Sequence, residues 1–314
     1  LSKLEHYLPY LAGIGVALTW GFSFMFTRGA LDYLAPFHLL GLRFATAVLG
    51  MSILRFCGII KITVVPADYL SLLPLALFQP ILYFSSETTG ILLTSSSYAG
   101  MMIAVIPIFV AIFAALILHE YPNRLQLLFI IASVSGAVFI IYMDTRSITG
   151  VDSLGTFLLI IAVIAGASFN IFSRKAAVNH PPIKTTWVMM VFGTFTFNFI
   201  SLVEHSIAGN LGDYFNPLAD MWIAIIYLGL FSSVAAFFLY NYVLSKITAT
   251  QASVFANMVT VVAIAAGIVF HGETVSWYHL AGTSAIIAGV WGTNRFAAAA
   301  VKKRGSKNKK TTGK

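Results

Sequence analysis

Cysteine and charge are both scarce in this chain of 314 residues. Cys57 is the single cysteine, which excludes an internal disulfide and a cysteine-ligated metal cluster. Charged residues make up 10% of the chain, where a soluble domain carries about 25%. Those few charges are unevenly placed. Arg295, Lys302, Lys303, Arg304, Lys307, Lys309, Lys310 and Lys314 put eight basic residues into the last twenty positions, and without them 11 basic and 11 acidic residues remain. The net charge of +8 therefore describes a tail, and the neutral body lacks the Lys and Arg that a nucleic-acid groove needs across a folded face. No GxxxxGKS/T loop occurs, so an ATP-driven pump within this chain is excluded. His38, His119, His180, His205, His271 and His279 fall near the ends of apolar runs without HExxH or paired spacing, so no metal site is expected and no cofactor is implied.

What the chain has instead is apolar length. Hydrophobic residues are 59% of it, gathered in runs that suit helices of roughly 20 residues crossing about 30 Å of hydrocarbon. Ten runs can be parsed, at 8 to 29, 37 to 57, 69 to 92, 95 to 118, 124 to 143, 153 to 174, 184 to 205, 217 to 243, 248 to 270 and 276 to 296. The third and fourth are separated by length and by the polar cluster Thr94 to Ser97, because one helix over both would be more than twice the hydrocarbon thickness. The runs are too long for barrel strands and do not alternate apolar with polar, so they read as helices. Arg28 follows the first run with no small-residue cleavage pattern, so a cleaved signal peptide is not expected. With the N-terminus inside, the inner loops hold Lys3, Arg55, Lys61, Arg124, Arg174, Lys175, Lys184, Lys246 and the tail, while the outer loops hold Arg28 and Arg146. The positive-inside bias then places both termini in the cytoplasm of a multi-pass plasma-membrane protein.

The chain also repeats itself. Thr94 to Ile140 aligns without gaps to Ile247 to Thr293 at a constant offset of 153 residues, setting Glu120 on Glu273, Ala132 on Ala285 and Gly136 on Gly289. Gly21, Ser23 and Phe24 recur as Gly166, Ser168 and Phe169. Each half holds five segments, an odd number, so the second half must enter the membrane with opposite polarity. Ala132-x-x-x-Gly136 and Ala281-x-x-x-Ala285-x-x-x-Gly289 are small-residue stripes that let helices approach closely, within one molecule or between two; monomer and homodimer both stay open.

On these residues, together with Trp20-Gly21, Leu42-Arg43-Phe44 and the Glu120 and Glu273 turns, the chain resembles the drug/metabolite transporter superfamily and, within it, the EamA family. The resemblance covers residues 8 to 296. It implies an all-α integral membrane fold of ten transmembrane helices in two inverted five-helix repeats, residues 1 to 147 and 148 to 296. It also implies alternating-access movement of a small organic solute, commonly export of an amino acid or other metabolite, and no enzymatic activity. Residues 297 to 314 are left as a basic, disordered cytoplasmic tail facing anionic lipid headgroups.

A solute site needs polar or aromatic groups that face inward at depth. Gln79, Tyr83 and Glu87 form a stripe at i, i+4 and i+8 in the third segment, with Phe237, Tyr240 and Asn241 in the eighth. Tyr98 and Met102 share a face in the fourth and their repeat partners Gln251 and Phe255 share one in the ninth, while Trp20, Ser23, Phe24, Phe169 and Asn170 come from the first and sixth. Together they would line a mostly aromatic cavity. Glu87 is the carboxylate set deepest in a segment, and three roles are open to it: a proton-coupling group, an anchor for a solute ammonium, or an ion-pair partner for Arg43. One acid and one base at depth disfavour organophosphates and leave amino acids, other zwitterions, amines and aromatic solutes. A proton-independent facilitator or exchanger for nucleoside or drug-like solutes is the alternative, ahead of an intramembrane enzyme or a scaffold.

Overall fold

A computed structural model describes residues 3–94, 96–144, 152–215, 221–271 and 276–311. The regular elements among these residues are all helical. In chain order they are α1 (Lys3–Leu31), α2 (Pro36–Phe56), α3 (Pro66–Leu93), α4 (Tyr98–Leu118), α5 (Arg124–Asp144), α6 (Ser153–Ala176), α7 (Pro182–Ala208) and α8 (Trp222–Lys246). α9 joins Ala249–Ser253, a tighter turn Val254–Asn257 and Met258–His271, and α10 is Trp277–Thr311.

Local chemistry sets the ends. Proline opens α2, α3 and α7, where its fixed φ suits the first turn and its missing N–H costs nothing. The Asp152 side chain accepts the Gly155 N–H at the start of α6, and Thr248 with Gln251 forms a reciprocal capping box at the start of α9. Gly209, at φ 73°, closes α7 in the left-handed region.

Two interior irregularities matter for function. Leu77–Leu82 in α3 and Tyr227–Ala235 in α8 widen from the usual α-helical turn, and Gln79 within the first has extended backbone angles (φ −150°, ψ 118°). Such widenings redirect the side chains of one turn. In α4 the regular helix breaks between Ile103 and Ile106, where Pro107 opens the next piece.

Packing divides the bundle into two groups and a frame. α3, α4 and α6 pack on one another, as do α1, α8 and α9, while α2 runs along α7 and α5 along α10. The α5–α10 crossing is the small-residue stripe: a methyl on Gly136 would strike the Gly282 carbonyl, and one on Gly289 would strike Ser133 and the Phe129 carbonyl. Outside, large apolar side chains such as Phe56, Leu70, Phe195, Phe199 and Ile223 are exposed on helix surfaces. That is the outer surface expected of helices whose solvent is hydrocarbon.

Eight helices among the described residues are long and apolar enough to cross a membrane. Two of the ten expected segments fall short of that standard. The ninth gives a shorter apolar helix, Ala249–Ala265, and the tenth carries His279, Thr283, Ser284, Thr293 and Asn294 among its apolar residues. The helical backbone of α10 runs on through Thr311, into the basic segment, whose Ala and Lys residues have high helix propensity. Glu273 and Arg146 lie outside the described residues.

The close α5–α10 crossing gives a direct test. Gly289→Ala puts a methyl 2.5 Å from Ser133 Cβ and 2.6 Å from the Phe129 carbonyl oxygen, so it should destabilise the protein by about 1–3 kcal/mol. Gly29→Ala, with nothing within 4 Å, should not. Thermal unfolding in detergent distinguishes the two.

Candidate functional site

Where the two helix groups face each other they line a cavity of about 90 Å³, room for several water-sized groups. α1 contributes Trp20, Ser23 and Thr27, which follow one face at i, i+3 and i+7. α3 contributes Gln79, Tyr83, Phe84, Glu87 and Ile91; α4 Ile103 and Ile106; α6 Gly166, Phe169 and Asn170; α8 Phe237 and Tyr240; α9 Ala256 and Val259. α2 sends in one residue, Arg43.

Arg43 is 4% exposed, and a guanidinium at that depth needs partners. The widened turn of α8 supplies them. Arg43 Nε donates to Ser233 Oγ at 2.8 Å and Nη2 donates to Ser232 Oγ at 3.0 Å, while the guanidinium lies 4.5 Å from the Phe84 ring centroid. The Ser232 carbonyl accepts Trp20 Nε1–H at 3.2 Å, so the same turn also orients the indole. Glu87, 7% exposed, accepts the Tyr83 hydroxyl at 3.1 Å from one turn earlier in α3. The floor is closed by Tyr240, whose hydroxyl donates to Asn170 Oδ1 at 2.6 Å; Asn170 Nδ2 in turn donates to the Gly166 carbonyl. Phe169, Phe237, Tyr240 and Trp20 pack edge-to-face or stacked around it.

The Arg43–Glu87 ion pair, one of the three roles open to Glu87, does not form at contact distance. Ion pairs among the described residues join Arg28 to Asp32, Glu120 to Arg174, and Asp68 to His180 and Lys184. Arg43 is satisfied instead by two serine hydroxyls, a neutral arrangement that leaves its charge uncancelled at contact distance. The cavity therefore holds a guanidinium and a carboxyl group that do not touch.

Nine of the residues expected from helical spacing line this cavity: Trp20, Ser23, Gln79, Tyr83, Glu87, Phe169, Asn170, Phe237 and Tyr240. Five do not. Tyr98 OH accepts from Thr156 toward the far end of α6, and Met102 packs against the core beside the cavity. Asn241 points away, accepting from Ser173 and donating to Thr186. Gln251 is spent on the cap of α9 and on Asn294, and Phe255 fills the space beside Gly13 and the α5–α10 crossing. Gln251 and Phe255 share a cause: the first turns of α9 bury against neighbouring helices rather than the opening. The Phe24 side chain lies outside the described residues. Thr27 and Ile91 were missed although they extend the stripes of α1 and α3 by one turn. Ser232 and Ser233 carried no periodic signal, because the widened turn breaks the period that would have shown it.

Similarity to known proteins adds a second line of information. The model of the EamA-like transporter family matches residues 8–142 and again residues 153–295. The chain belongs to the EamA-like transporter family. Among relatives of this EamA chain, the uncharacterized transporter YcxC of Bacillus subtilis is 37% identical over 296 residues, covering 94% of this chain and 95% of its own length. An uncharacterized transporter of Archaeoglobus fulgidus is 27% identical over 283 residues, covering 88% and 96%. One solved crystal structure superposes with a TM-score of 0.73 at 17% identity over 92% of this chain and 96% of its own, which supports the fold alone. Family and helices together make this a multi-pass membrane transporter of small molecules.

The floor hydrogen bond can be tested by a double-mutant cycle. Asn170→Ala strands the buried Tyr240 hydroxyl and should cost about 1–3 kcal/mol of stability. Tyr240→Phe should cost less, and the double variant should fall well short of the sum, as read from thermal unfolding.

Proposed function

We propose that this EamA protein is a secondary transporter for a small zwitterionic solute of the amino-acid type, moved by alternating access. The observation that carries the reading is that a guanidinium and a carboxyl group, Arg43 and Glu87, line one aromatic cavity without contacting each other. A solute carboxylate on Arg43 and its ammonium on Glu87 would complete both groups at once, and the aromatic wall would receive an apolar side chain. Binding energy would come from desolvated charge pairs, which a solute lacking one charge leaves half made. Such a carrier is reversible, so net direction follows the gradient that drives it.

The topology that fits is ten spans in two inverted repeats with both termini cytoplasmic and the basic end of α10 near anionic headgroups. Support comes from three places. The family model matches twice. Exchanging the halves maps α5–α10 and α2–α7 onto themselves and maps α3–α6 and α4–α6 onto α8–α1 and α9–α1. The widened turns of α3 and α8 fall at repeat-equivalent positions.

Proteoliposome flux tests the substrate class. Free amino acids should compete for saturable uptake, while their N-acetyl and methyl-ester derivatives, each missing one charge, should compete about tenfold less well or worse. Arg43→Gln should weaken recognition of the carboxylate and Glu87→Gln that of the ammonium. Equal competition by all three solute forms would overturn the assignment.

A further inference from the structure

Beyond the cavity, a charged cluster ties the two helix groups together at one end. Glu120, in the turn after α4, accepts Arg174 Nε at 3.1 Å through Oε1. Each partner of this pair then reaches across to the other group. Glu120 Oε2 accepts the backbone N–H of Ala249 in the first turn of α9 at 3.1 Å, and Arg174 Nη1 donates to the carbonyl of Leu244 near the end of α8 at 2.8 Å. The carboxylate meets the positive end of a helix and the guanidinium meets the negative end of another, so both dipoles favour the contact. The pair itself lies on the α3–α4–α6 side, and its outward bonds both land on the α1–α8–α9 side.

The same two helices carry the cavity floor one turn away. On α6, Asn170 precedes Arg174 by four residues; on α8, Tyr240 precedes Leu244 by four, so floor and clamp are about 6 Å apart along both helices. Between them Ser173 donates to Asn241 Oδ1 at 2.7 Å. Four hydrogen bonds thus join the groups from the floor to this end: Tyr240 to Asn170, Ser173 to Asn241, Arg174 to Leu244 and Ala249 to Glu120. In the other direction the cavity continues along α3 to Ile91 and along α1 to Thr27. At that end of α1, Arg28 is half-exposed and 3.8 Å from Asp32 of its own helix.

We infer that Glu120 and Arg174 form the inner gate of the carrier: a clamp, on the side read as cytoplasmic, that holds α6 and α8 together while the cavity faces outward. Opening toward the cytoplasm requires both cross-group bonds to break, and because Asn170 and Tyr240 ride on the same helices, that separation also opens the floor. The inference rests on the alternating-access reading and makes no assumption about which solute is carried.

Cysteine accessibility tests it without solute. In a Cys57→Ser background, Ala252→Cys places one thiol in the buried first turn of α9, three residues beyond Ala249. A membrane-impermeant maleimide is applied to inside-out and right-side-out vesicles. With the clamp intact, labelling from the inner face should be slow. Glu120→Ala and Arg174→Ala should each raise it about fivefold or more, and Glu120→Gln, which keeps one hydrogen bond and loses the charge, should fall between. Arg28→Ala should leave it unchanged. The gate is overturned if labelling in Glu120→Gln and Glu120→Ala equals that of the parent, or if it rises equally from both faces, which marks general loosening. Absence of saturable flux with responsive labelling would sink the solute assignment and leave the clamp standing. Normal flux with unresponsive labelling would sink the clamp alone.

Discussion

A permanently charged guanidinium at 4% exposure is the constraint on which the centre of this protein depends. Arg43 keeps its proton and is almost wholly removed from the protein surface, so the surrounding helices have to satisfy it. They do so with an irregularity: the widened turn of α8 brings Ser232 and Ser233 to two guanidinium nitrogens and turns the Ser232 carbonyl toward Trp20. An α-helical turn there would place consecutive side chains about 100° apart. Phe84 covers the remaining face. The result is a charge that is supported yet unpaired, which is what a site for a counter-charged solute requires.

Glu87 complements it from α3. Its Tyr83 contact is local, one turn away on the same helix, so Glu87 stays on its own element while Arg43 is fixed by α8. The two charges thus belong to different parts of the bundle, α2 with α8 on one side and α3 on the other. A solute that bridges them ties those parts together, and that is how binding can be felt at the far end of α6 and α8. The floor residues Asn170 and Tyr240 sit on the path between the cavity and the Glu120–Arg174 cluster, each one helical turn before a clamp residue on α6 or α8.

Much of this was legible in the sequence because the hydrophobic signal of membrane helices is strong and the helical period is strict. The positions of α1 to α8 follow from apolar length, and helical spacing together with the internal repeat puts the α3 stripe Gln79, Tyr83, Glu87 and the α6 and α8 aromatics on one expected cavity. Spacing failed where the helix departs from its period. Ser232 and Ser233 lie in a widened turn, and Gln251 and Phe255 lie where α9 begins with a cap and a tight turn, so their faces differ from those of a continuous helix. Nor does spacing reveal the partners of Arg43: charge leaves Glu87 as one candidate, whereas its hydrogen bonds go to neutral hydroxyls. Glu120 was noticed as a repeat marker, yet its bonds to Arg174 and Ala249 join residues 54 and 129 positions away, a relation no local pattern encodes.

The account stands or falls on whether Arg43 receives the solute's carboxylate. Magic-angle-spinning NMR on protein carrying ¹⁵N-guanidinium labels, loaded with a ¹³C-carboxylate amino acid, measures that contact directly. A carbon–nitrogen dipolar coupling corresponding to under about 4.5 Å, lost in Arg43→Gln while other arginine signals persist, is the predicted result. A bound solute whose carboxylate shows no coupling to Arg43 would contradict it.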